Sequence, residues 1–175
     1  MSSQKIIITN LLLVLFIGTP VFLIAIPYGI YYFGKLADTK LNFSSVLDST
    51  GWEIFAIALI IFGLIFTFWS LFHMIFKYNT SPMGSAPKGD LITTGPYSFS
   101  RHPMWFGNLL VYTGTAIFAN SLSAIFITLA IWIIFFIYLR FVEENKLLRT
   151  FGKDYEIYRQ NVPMLFPKFN CPFRK

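Results

Sequence analysis

Two pairs of ionisable side chains stand at the ends of neighbouring apolar stretches, and together they have the chemistry to bind a zwitterion. Arg101 and His102 come directly before the first stretch, and Glu143 and Glu144 follow the second. Only residues 120–121 separate the two stretches, so they must fold into an antiparallel hairpin that brings the four side chains together. Acidic and basic groups at one place can bind an ammonium and a carboxylate at once. The spacing therefore predicts a site for a small zwitterionic ligand at one end of this hairpin.

The beginning of the first stretch has a further feature suited to ligand binding. Pro103 fits the first turn of a helix, because the amide hydrogen that proline lacks has no helical partner there in any case. The backbone donors near His102 are then expected to be free to hold an anion. The aromatic residues Tyr97, Trp105 and Tyr112 stand nearby in the sequence and would give such a pocket its apolar faces.

Interfacial ion pairing is the competing interpretation of the same charges. Arg101 would extend its guanidinium to the membrane surface, and Arg140 would pair with Glu143 or Glu144 along its own helix. His73, near the end of another apolar segment, is expected to be a satisfied interfacial residue rather than a ligand. The Gly- and Pro-rich loop before Arg101 and the aromatic residues favour a ligand site over a purely structural cluster.

The elements that must hold these residues are membrane helices. Of the 175 residues, 55% are hydrophobic and only 13% are charged, and about 20 apolar residues suffice to cross the roughly 30 Å of hydrocarbon in a bilayer. Four segments can be tested as spans: residues 6–33, 54–76, 103–119 and 122–139. The first is too long for a signal peptide and lacks a cleavage site, so we expect it to remain as a span. The sequence predicts an all-α integral membrane protein with four transmembrane helices, or five if the first segment breaks at Pro20 or Pro27.

The distribution of basic residues predicts the orientation of the chain. With four spans, every lysine and arginine except Lys35 and Lys40 lies on the same side as both termini. Basic residues near span ends are retained on the cytoplasmic side, so both termini and the charged cluster are predicted to be cytoplasmic. The net charge of +6 then reflects topology and anionic lipids rather than nucleic-acid binding. The single cysteine, Cys171, makes no disulfide framework or metal cluster and is expected to be inert, with palmitoylation as the alternative.

The chain divides into an anchor and a region that carries the chemistry. Residues 1–76 are predicted to form a two-span anchor, and residues 77–175 the ligand-binding region. The loop 77–101 is long for a connector in a compact protein. After the fourth span, apolar residues recur at three- and four-residue steps, which predicts one amphipathic helix or two short ones interrupted at Gly152. We expect the loop and residues 145–167 to close over the site as a cytoplasmic cap that excludes water.

Two stretches in this region resemble a known family. "LITTGPYSFSRHPMWFGNLL" and, about forty residues later, "EENKLLRTFGKDYEIYRQNVP" are similar to sequences of the isoprenylcysteine carboxyl methyltransferase and phospholipid methyltransferase family of integral membrane enzymes. The resemblance covers approximately residues 83–167. It implies a transferase that moves the methyl group of S-adenosylmethionine and releases S-adenosylhomocysteine. The cofactor would be held on the cytoplasmic side, and a lipophilic acceptor would arrive from the bilayer.

By the same resemblance, the cofactor contacts would fall on the loop, on the start of the third helix and on the end of the fourth. They are Leu91, Ile92, Tyr97, His102, Pro103, Met104, Trp105, Glu143 and Glu144. The predicted catalytic residues are Arg101, Trp105 and Arg140. One of the two glutamates would receive the ammonium of the cofactor, and Arg101 or His102 its carboxylate. Aromatic faces would lie near the sulfonium.

Two positions depart from the family pattern. Trp105 stands where the family usually has tyrosine, and Leu139 stands where the isoprenylcysteine enzymes have an arginine that orients the substrate carboxylate. Arg140 is adjacent but about 100° further round a helix. An ionised carboxylate needs no general base, whereas an amine must first lose a proton, so the absence of an unambiguous base favours a carboxylate or a thiol acceptor. We expect the acceptor to enter laterally, through a gap beside Trp105 or Arg140.

Two other functions fit the same membrane arrangement. The first is a membrane reductase related to sterol reductases, which would bind NADPH. The sequence has no dinucleotide-type glycine fingerprint, although membrane reductases need not have one. The second is a non-catalytic membrane protein whose ion pairs merely hold a helical hairpin. Stabilisation by S-adenosylhomocysteine rather than by NADPH would separate the three functions, because a ligand stabilises the native state that binds it.

Overall fold

The computed structural model describes Thr9, residues 12–45, Leu47, and residues 49–78 and 91–168. In these ranges the chain is helical or irregular, without β-strands, so the predicted all-α class is confirmed for them. The α-helices are α1 (Ile26–Leu41), α2 (Thr50–Phe72), α3 (Pro103–Phe118), α4 (Leu122–Tyr138), α5 (Glu144–Phe151) and α6 (Lys153–Asn161). Wide π-helical turns lie at Val14–Gly18, Val21–Ala25, His73–Lys77 and Leu139–Glu143, and a short 3₁₀ turn lies at Gly95–Ser98.

Three continuous helical segments are long and apolar enough to cross a membrane. They are Phe16–Leu41, Thr50–Lys77 and Leu122–Phe151, with 26, 28 and 30 residues. Their outward faces carry large exposed apolar side chains, as expected of helices in lipid. Helix α3 has only 16 residues, or about 24 Å at 1.5 Å per residue, and most of its side chains are buried by its neighbours. A complete crossing by α3, and hence the count of four spans, stays a prediction.

The first helical segment continues through both of its prolines. Pro20 directly precedes the wide turn Val21–Ala25, and Pro27 follows it in the first turn of α1. The amide of Ile26 donates to the carbonyl of Val21, five residues back. A wide turn accommodates a proline ring that would clash with a regular α-helical backbone. Both prolines therefore lie within one continuous helical segment. The described residues do not contain the break that a fifth span requires.

Close packing of α2 against α3 depends on glycine. A Cβ added to Gly63 would lie 2.6 Å from the carbonyl oxygen of Gly107, and one added to Gly114 would lie 2.7 Å from the carbonyl oxygen of Ala56. The backbones can approach this closely only without side chains at these positions, as is common between membrane helices. This contact holds the start of α3, and with it the predicted site, firmly against α2.

The turn between α3 and α4 is tied to the end of α1. The carboxylate of Asp38 accepts a hydrogen bond of 3.0 Å from the amide of Ser123, in the first turn of α4. The hydroxyl of Ser121 caps the same helix by accepting from the amide of Ala124 at 3.0 Å. Both bonds satisfy amides that a helix start leaves unpaired. The predicted antiparallel hairpin of α3 and α4 is confirmed, with its turn anchored at this end.

After α4 the helix continues through the wide turn into α5, and the interruption at Gly152 follows the second of the two predicted forms. Gly152, at φ +55°, separates α5 from α6, and the C-terminal cap of α6 is Val162. Tyr155 and Tyr158 on α6 are buried, in agreement with the predicted apolar face. Residues 163–168 then return along the start of α3, where Leu165 is buried in the main hydrophobic core.

Candidate active site

The hairpin brings together the two charged pairs that the sequence predicts to meet. Arg101 and His102 precede α3, and the wide turn Leu139–Glu143 carries the chain from α4 into Glu144 at the start of α5. Arg101, His102 and Glu144 are all buried, whereas Glu143 stays partly exposed. The predicted juxtaposition of the four side chains is therefore confirmed.

The carboxylate of Glu144 lies at the centre of this cluster. The side chain is only 1% exposed, and its two oxygens face different partners. Oε1 pairs with Nη2 of Arg101 and lies 3.9 Å from Nε2 of His102. Oε2 lies 3.1 Å from Nη1 of Arg140 and 3.7 Å from Nε of Arg159. A buried carboxylate needs such partners, because desolvation without compensation is very costly.

Arg101 connects the start of α3 to the end of α6. Its Nη1 donates to the carbonyl oxygens of Arg159 at 2.7 Å and Val162 at 2.9 Å. These carbonyls belong to the last turn of a helix, where they lack helical partners and where a cation is favoured. Because Arg101 also binds Glu144, its side chain holds α3, α5 and α6 together.

The segment after α6 uses the backbone donors that we expected to be free for an anion. The amide of Arg101 donates to the carbonyl of Pro163 at 2.9 Å, and the amide of His102 donates to that of Met164 at 3.0 Å. The hydroxyl of Ser100 donates to the carbonyl of Leu165 at 2.9 Å. The expectation of a free donor is therefore wrong for His102, and for the amides that follow Pro103 it stays a prediction. The returning segment has no hydrophobic periodicity in the sequence that would have revealed this pairing.

His102 and Glu143 form a second, more accessible part of the site. Nδ1 of His102 lies 3.7 Å from Oε1 of Glu143, whose side chain is 32% exposed. Nε2 of His102 is buried and has no hydrogen-bond partner among the described residues, since its 3.9 Å separation from Glu144 is too long for a hydrogen bond. Burial raises the pKa of the Tyr97 hydroxyl, and the nearby charge of Glu143 raises this pKa further. Glu143 thus interacts electrostatically with both His102 and Tyr97.

The loop that carries Tyr97 is fixed from two sides. The hydroxyl of Tyr158 donates to the backbone carbonyl of Tyr97 at 2.6 Å. On the other side, Nε2 of His73 lies 3.0 Å from the hydroxyl of Thr94. The His73 ring also occupies the space beside Gly95, where φ is +63° and an added Cβ would lie 2.5 Å from the ring. His73 is a satisfied residue, as expected, and it also positions this loop, which its place in the sequence does not indicate.

The other predicted cofactor residues lie around this core. Leu91 packs against the cluster of Tyr155, Tyr158 and Val162, and Ile92 is partly buried beside it in the chain. Pro103 is buried in the first turn of α3, and Met104 is partly buried in the following position. The predicted cap lies partly outside the described residues, because positions 79–90 of the loop are not among them.

Trp105 is surrounded by aromatic rings on the lipid-facing side of the hairpin. Its ring centroid lies 4.5 Å from that of Phe135 and 5.5 Å from that of Phe22. Tyr138 approaches its edge at 6.4 Å. Tyr112 lies two helical turns deeper, fully buried in the hydrophobic core. Trp105 is therefore partly buried against the edge of the main hydrophobic core, while Tyr112 lies inside it.

Comparison with known proteins decides the family. A family model described as phospholipid methyltransferase matches residues 52–154. The match runs from the first turn of α2 through α5 and includes both charged pairs, and it covers more than half of the 175 residues. The chain belongs to the phospholipid methyltransferase family. The resemblance predicted from the two sequence stretches is confirmed.

Individual methyltransferases are similar to this family member over part of their length. Protein-S-isoprenylcysteine O-methyltransferase B of Arabidopsis thaliana is 36% identical over 81 residues, which are 46% of this chain and 41% of that protein. The Schizosaccharomyces pombe protein-S-isoprenylcysteine O-methyltransferase is 36% identical over 78 residues, or 44% and 33% of the two chains. Methanethiol S-methyltransferase of Crocosphaera subtropica is 37% identical over 77 residues, or 41% and 27%. The chain thus matches well under half the length of these relatives.

Proposed function

We propose that this phospholipid methyltransferase family member transfers a methyl group from S-adenosylmethionine to a lipophilic acceptor that arrives from the membrane. The observation that carries the proposal is the pairing of His102 with the partly exposed Glu143, next to Tyr97, where α3 and α4 meet the surface. This pairing places a partly exposed carboxylate beside a buried imidazole. Relatives named as O- and S-methyltransferases support methyl transfer as the reaction class.

The residues present fit the cofactor in charge and shape. The amino-acid part of S-adenosylmethionine carries an ammonium and a carboxylate. Glu143 would receive the ammonium, since among the described residues no arginine occupies its carboxylate. His102, with a buried nitrogen that lacks a hydrogen-bond partner in the same part of the chain, would donate to the carboxylate. When bound, the cofactor supplies an electrophilic methyl group on its sulfonium.

Arg101 and Glu144 would act as the frame of the site rather than as direct ligands. Their side chains already bind each other in a buried pair. The pair orients the backbone that carries His102 and joins it to α5 and α6. Leu91 and Ile92 would line the apolar slot for the adenine, and Pro103 and Met104 would shape its floor at the start of α3. The Tyr97 ring would lie close to the sulfonium.

The acceptor would approach from the side of Trp105. Aromatic rings around Trp105 make this face of the hairpin apolar, which suits an acceptor that would arrive from the hydrocarbon of the membrane. The protein would then align the acceptor atom with the methyl group and exclude water, and alignment of this kind can supply roughly 7–11 kcal/mol of a reaction barrier. Leu139 is fully buried and offers no charge to orient an acceptor carboxylate. The acceptor would therefore be a thiol, or a carboxylate bound through other groups.

Ligand binding to the intact purified protein tests this proposal. We expect S-adenosylhomocysteine to raise the unfolding temperature, whereas NADPH leaves it unchanged. Glu143→Gln should abolish the effect of S-adenosylhomocysteine. The matched control is Glu53→Gln, which changes an exposed glutamate in the first turn of α2, at the other end of the bundle. Stabilisation by NADPH alone would instead support the reductase, and stabilisation by neither ligand would support a non-catalytic protein.

The proposed orientation places both termini and the site in the cytoplasm. Replacing Cys171 with serine removes the single native thiol and allows new cysteines to be labelled one at a time. In intact cells, a membrane-impermeant maleimide should label Lys40→Cys at the end of α1 but not Lys153→Cys at the start of α6. The reverse pattern would contradict the proposed orientation.

A further inference from the structure

The Glu144 carboxylate separates the candidate active site from a second group of basic side chains. Its Oε1 faces Arg101 and His102, which belong to the candidate site. Its Oε2 faces Arg140 and Arg159. Three guanidinium groups therefore surround a single carboxylate, which leaves an excess of positive charge on the Oε2 side.

Arg140 and Arg159 have donors available for another anion. Their side chains are 42% and 35% exposed. Among the described residues, each of the two guanidinium groups contacts Glu144 through one nitrogen. Since a guanidinium has five N–H donors, the others can bind a second anion. Because both nitrogens lie within 4 Å of the same oxygen, the two groups converge on one place.

The surface next to these arginines is apolar and suited to lipid chains. On α4, Phe136 lies one turn before Arg140, and it is half exposed. Trp132, one further turn along α4, stacks on Phe166 with ring centroids 5.8 Å apart. The Phe166 ring is 63% exposed. A strip of aromatic surface thus runs along α4 and ends at the two arginines.

We infer that Arg140 and Arg159 bind the phosphate of an anionic phospholipid, with an acyl chain of this lipid on the aromatic strip formed by Trp132, Phe136 and Phe166. The excess positive charge selects a lipid with net negative charge over a zwitterionic one. Arginine suits the phosphate because its planar fork matches two phosphate oxygens at once. The apolar strip makes the occupant a lipid rather than free phosphate. This lipid site faces the other carboxylate oxygen of Glu144 from His102, and its test by lipid binding does not rest on the proposed methyl transfer.

Calorimetric titration of the full chain in neutral detergent tests the lipid site. The probes are dioctanoyl phosphatidylglycerol, dioctanoyl phosphatidylcholine and glycerol 1-phosphate. We expect phosphatidylglycerol to bind at least about tenfold more tightly than phosphatidylcholine, a difference that one well-placed charge contact can supply. It should also bind at least about tenfold more tightly than glycerol 1-phosphate, which lacks the acyl chains that the apolar strip would cover. The double variant Arg140→Gln/Arg159→Gln should lose this preference. The matched control Lys146→Gln/Arg149→Gln removes two exposed charges from α5 and should keep it.

Several outcomes would overturn the lipid site. One is equal affinity for phosphatidylglycerol and phosphatidylcholine, and another is equal affinity for glycerol 1-phosphate, which would indicate a site for soluble anions. A loss of preference in the control variant would show general surface attraction instead. If the double glutamine variant does not fold, Arg140→Lys/Arg159→Lys keeps both charges but removes the planar forks. That variant should bind phosphatidylglycerol at least about threefold more weakly than the parent, and unchanged binding would contradict the inference.

Discussion

Replacing each glutamate of the site with glutamine should separate a structural role from a ligand-binding one. Glu144 is 1% exposed, and its main partner, the Arg101 side chain, is 7% exposed. Removing one partner of such a buried pair costs about 3–5 kcal/mol. The contacts with Arg140 and Arg159 are more exposed and contribute about 0.2–1 kcal/mol each. Arg101 keeps its two carbonyl acceptors in Glu144→Gln, so we expect a loss near the lower limit, about 3 kcal/mol.

Glu143→Gln should behave differently. The Glu143 side chain is 32% exposed, and its recorded ion-pair distance, to His102, is 3.7 Å. Removal of an exposed charge usually changes the free energy of unfolding by less than about 0.5 kcal/mol. If Glu143 binds the cofactor ammonium in a partly desolvated site, the loss of that contact costs about 2 kcal/mol or more. The affinity for S-adenosylhomocysteine should then fall at least about thirtyfold.

Thermal unfolding in a single detergent and calorimetric titration with S-adenosylhomocysteine give the two readouts. For a chain of this size, a loss of about 3 kcal/mol corresponds to an unfolding temperature lower by about 6–12 °C. The reasoning about the buried pair is refuted if Glu144→Gln unfolds at the temperature of the parent. The assignment of the cofactor ammonium is refuted if Glu143→Gln binds S-adenosylhomocysteine as tightly as the parent does.

Three further changes test how the site is held in place. Gly107→Ala should lose about 1–3 kcal/mol of stability in thermal unfolding, because its Cβ would overlap a threonine hydroxyl on α2. Gly29→Ala, whose Cβ would meet its closest neighbour at 3.9 Å, should cost nothing, and an equal loss in both variants would contradict the packing argument. Gly95→Ala combines a positive φ with a clash against the His73 ring and should weaken S-adenosylhomocysteine binding; unchanged affinity would show that the loop is not part of the site. Tyr158→Phe should lose about 0.5–1.5 kcal/mol at neutral pH with its hydrogen bond. Burial raises the pKa of this hydroxyl, so its contribution is present below pH about 10 and is lost above it. The difference in the free energy of unfolding between the parent and Tyr158→Phe should therefore become smaller at higher pH. A difference that does not change with pH would contradict this assignment.

The meeting of the charged pairs could be predicted because very little chain separates the two apolar stretches. Because the turn has only residues 120–121, the second helix can pack only alongside the first, in the antiparallel direction. The two short helices after α4 were also predictable, since their apolar residues follow helical spacing and Gly152 interrupts them. These inferences depend on chain connectivity and periodicity, which a single sequence contains in full.

The return of residues 163–168 could not be predicted in the same way. Its contacts with Arg101 and His102 are made by backbone carbonyls, which every residue possesses. No pattern of side chains distinguishes a segment that pairs in this manner from an ordinary tail. For the same reason, the hydrogen bonds of Arg101 with the last carbonyls of α6 could not be predicted from the sequence. No sequence pattern distinguishes Arg159 from the other basic residues of this region.

The wide turn at Leu139–Glu143 explains why two adjacent glutamates have different surroundings. In a regular α-helix Leu139 would share a face with Glu143, four residues later. In the structure the amide of Glu144 instead donates to the carbonyl of Leu139, five residues back, and Leu139 and Glu144 are both buried. The additional residue in this turn rotates Glu144 inward onto Arg101 and leaves Glu143 partly exposed beside His102. Regular helical spacing places either glutamate within reach of Arg140, so the division into a buried and a partly exposed carboxylate arises from the backbone of this one turn.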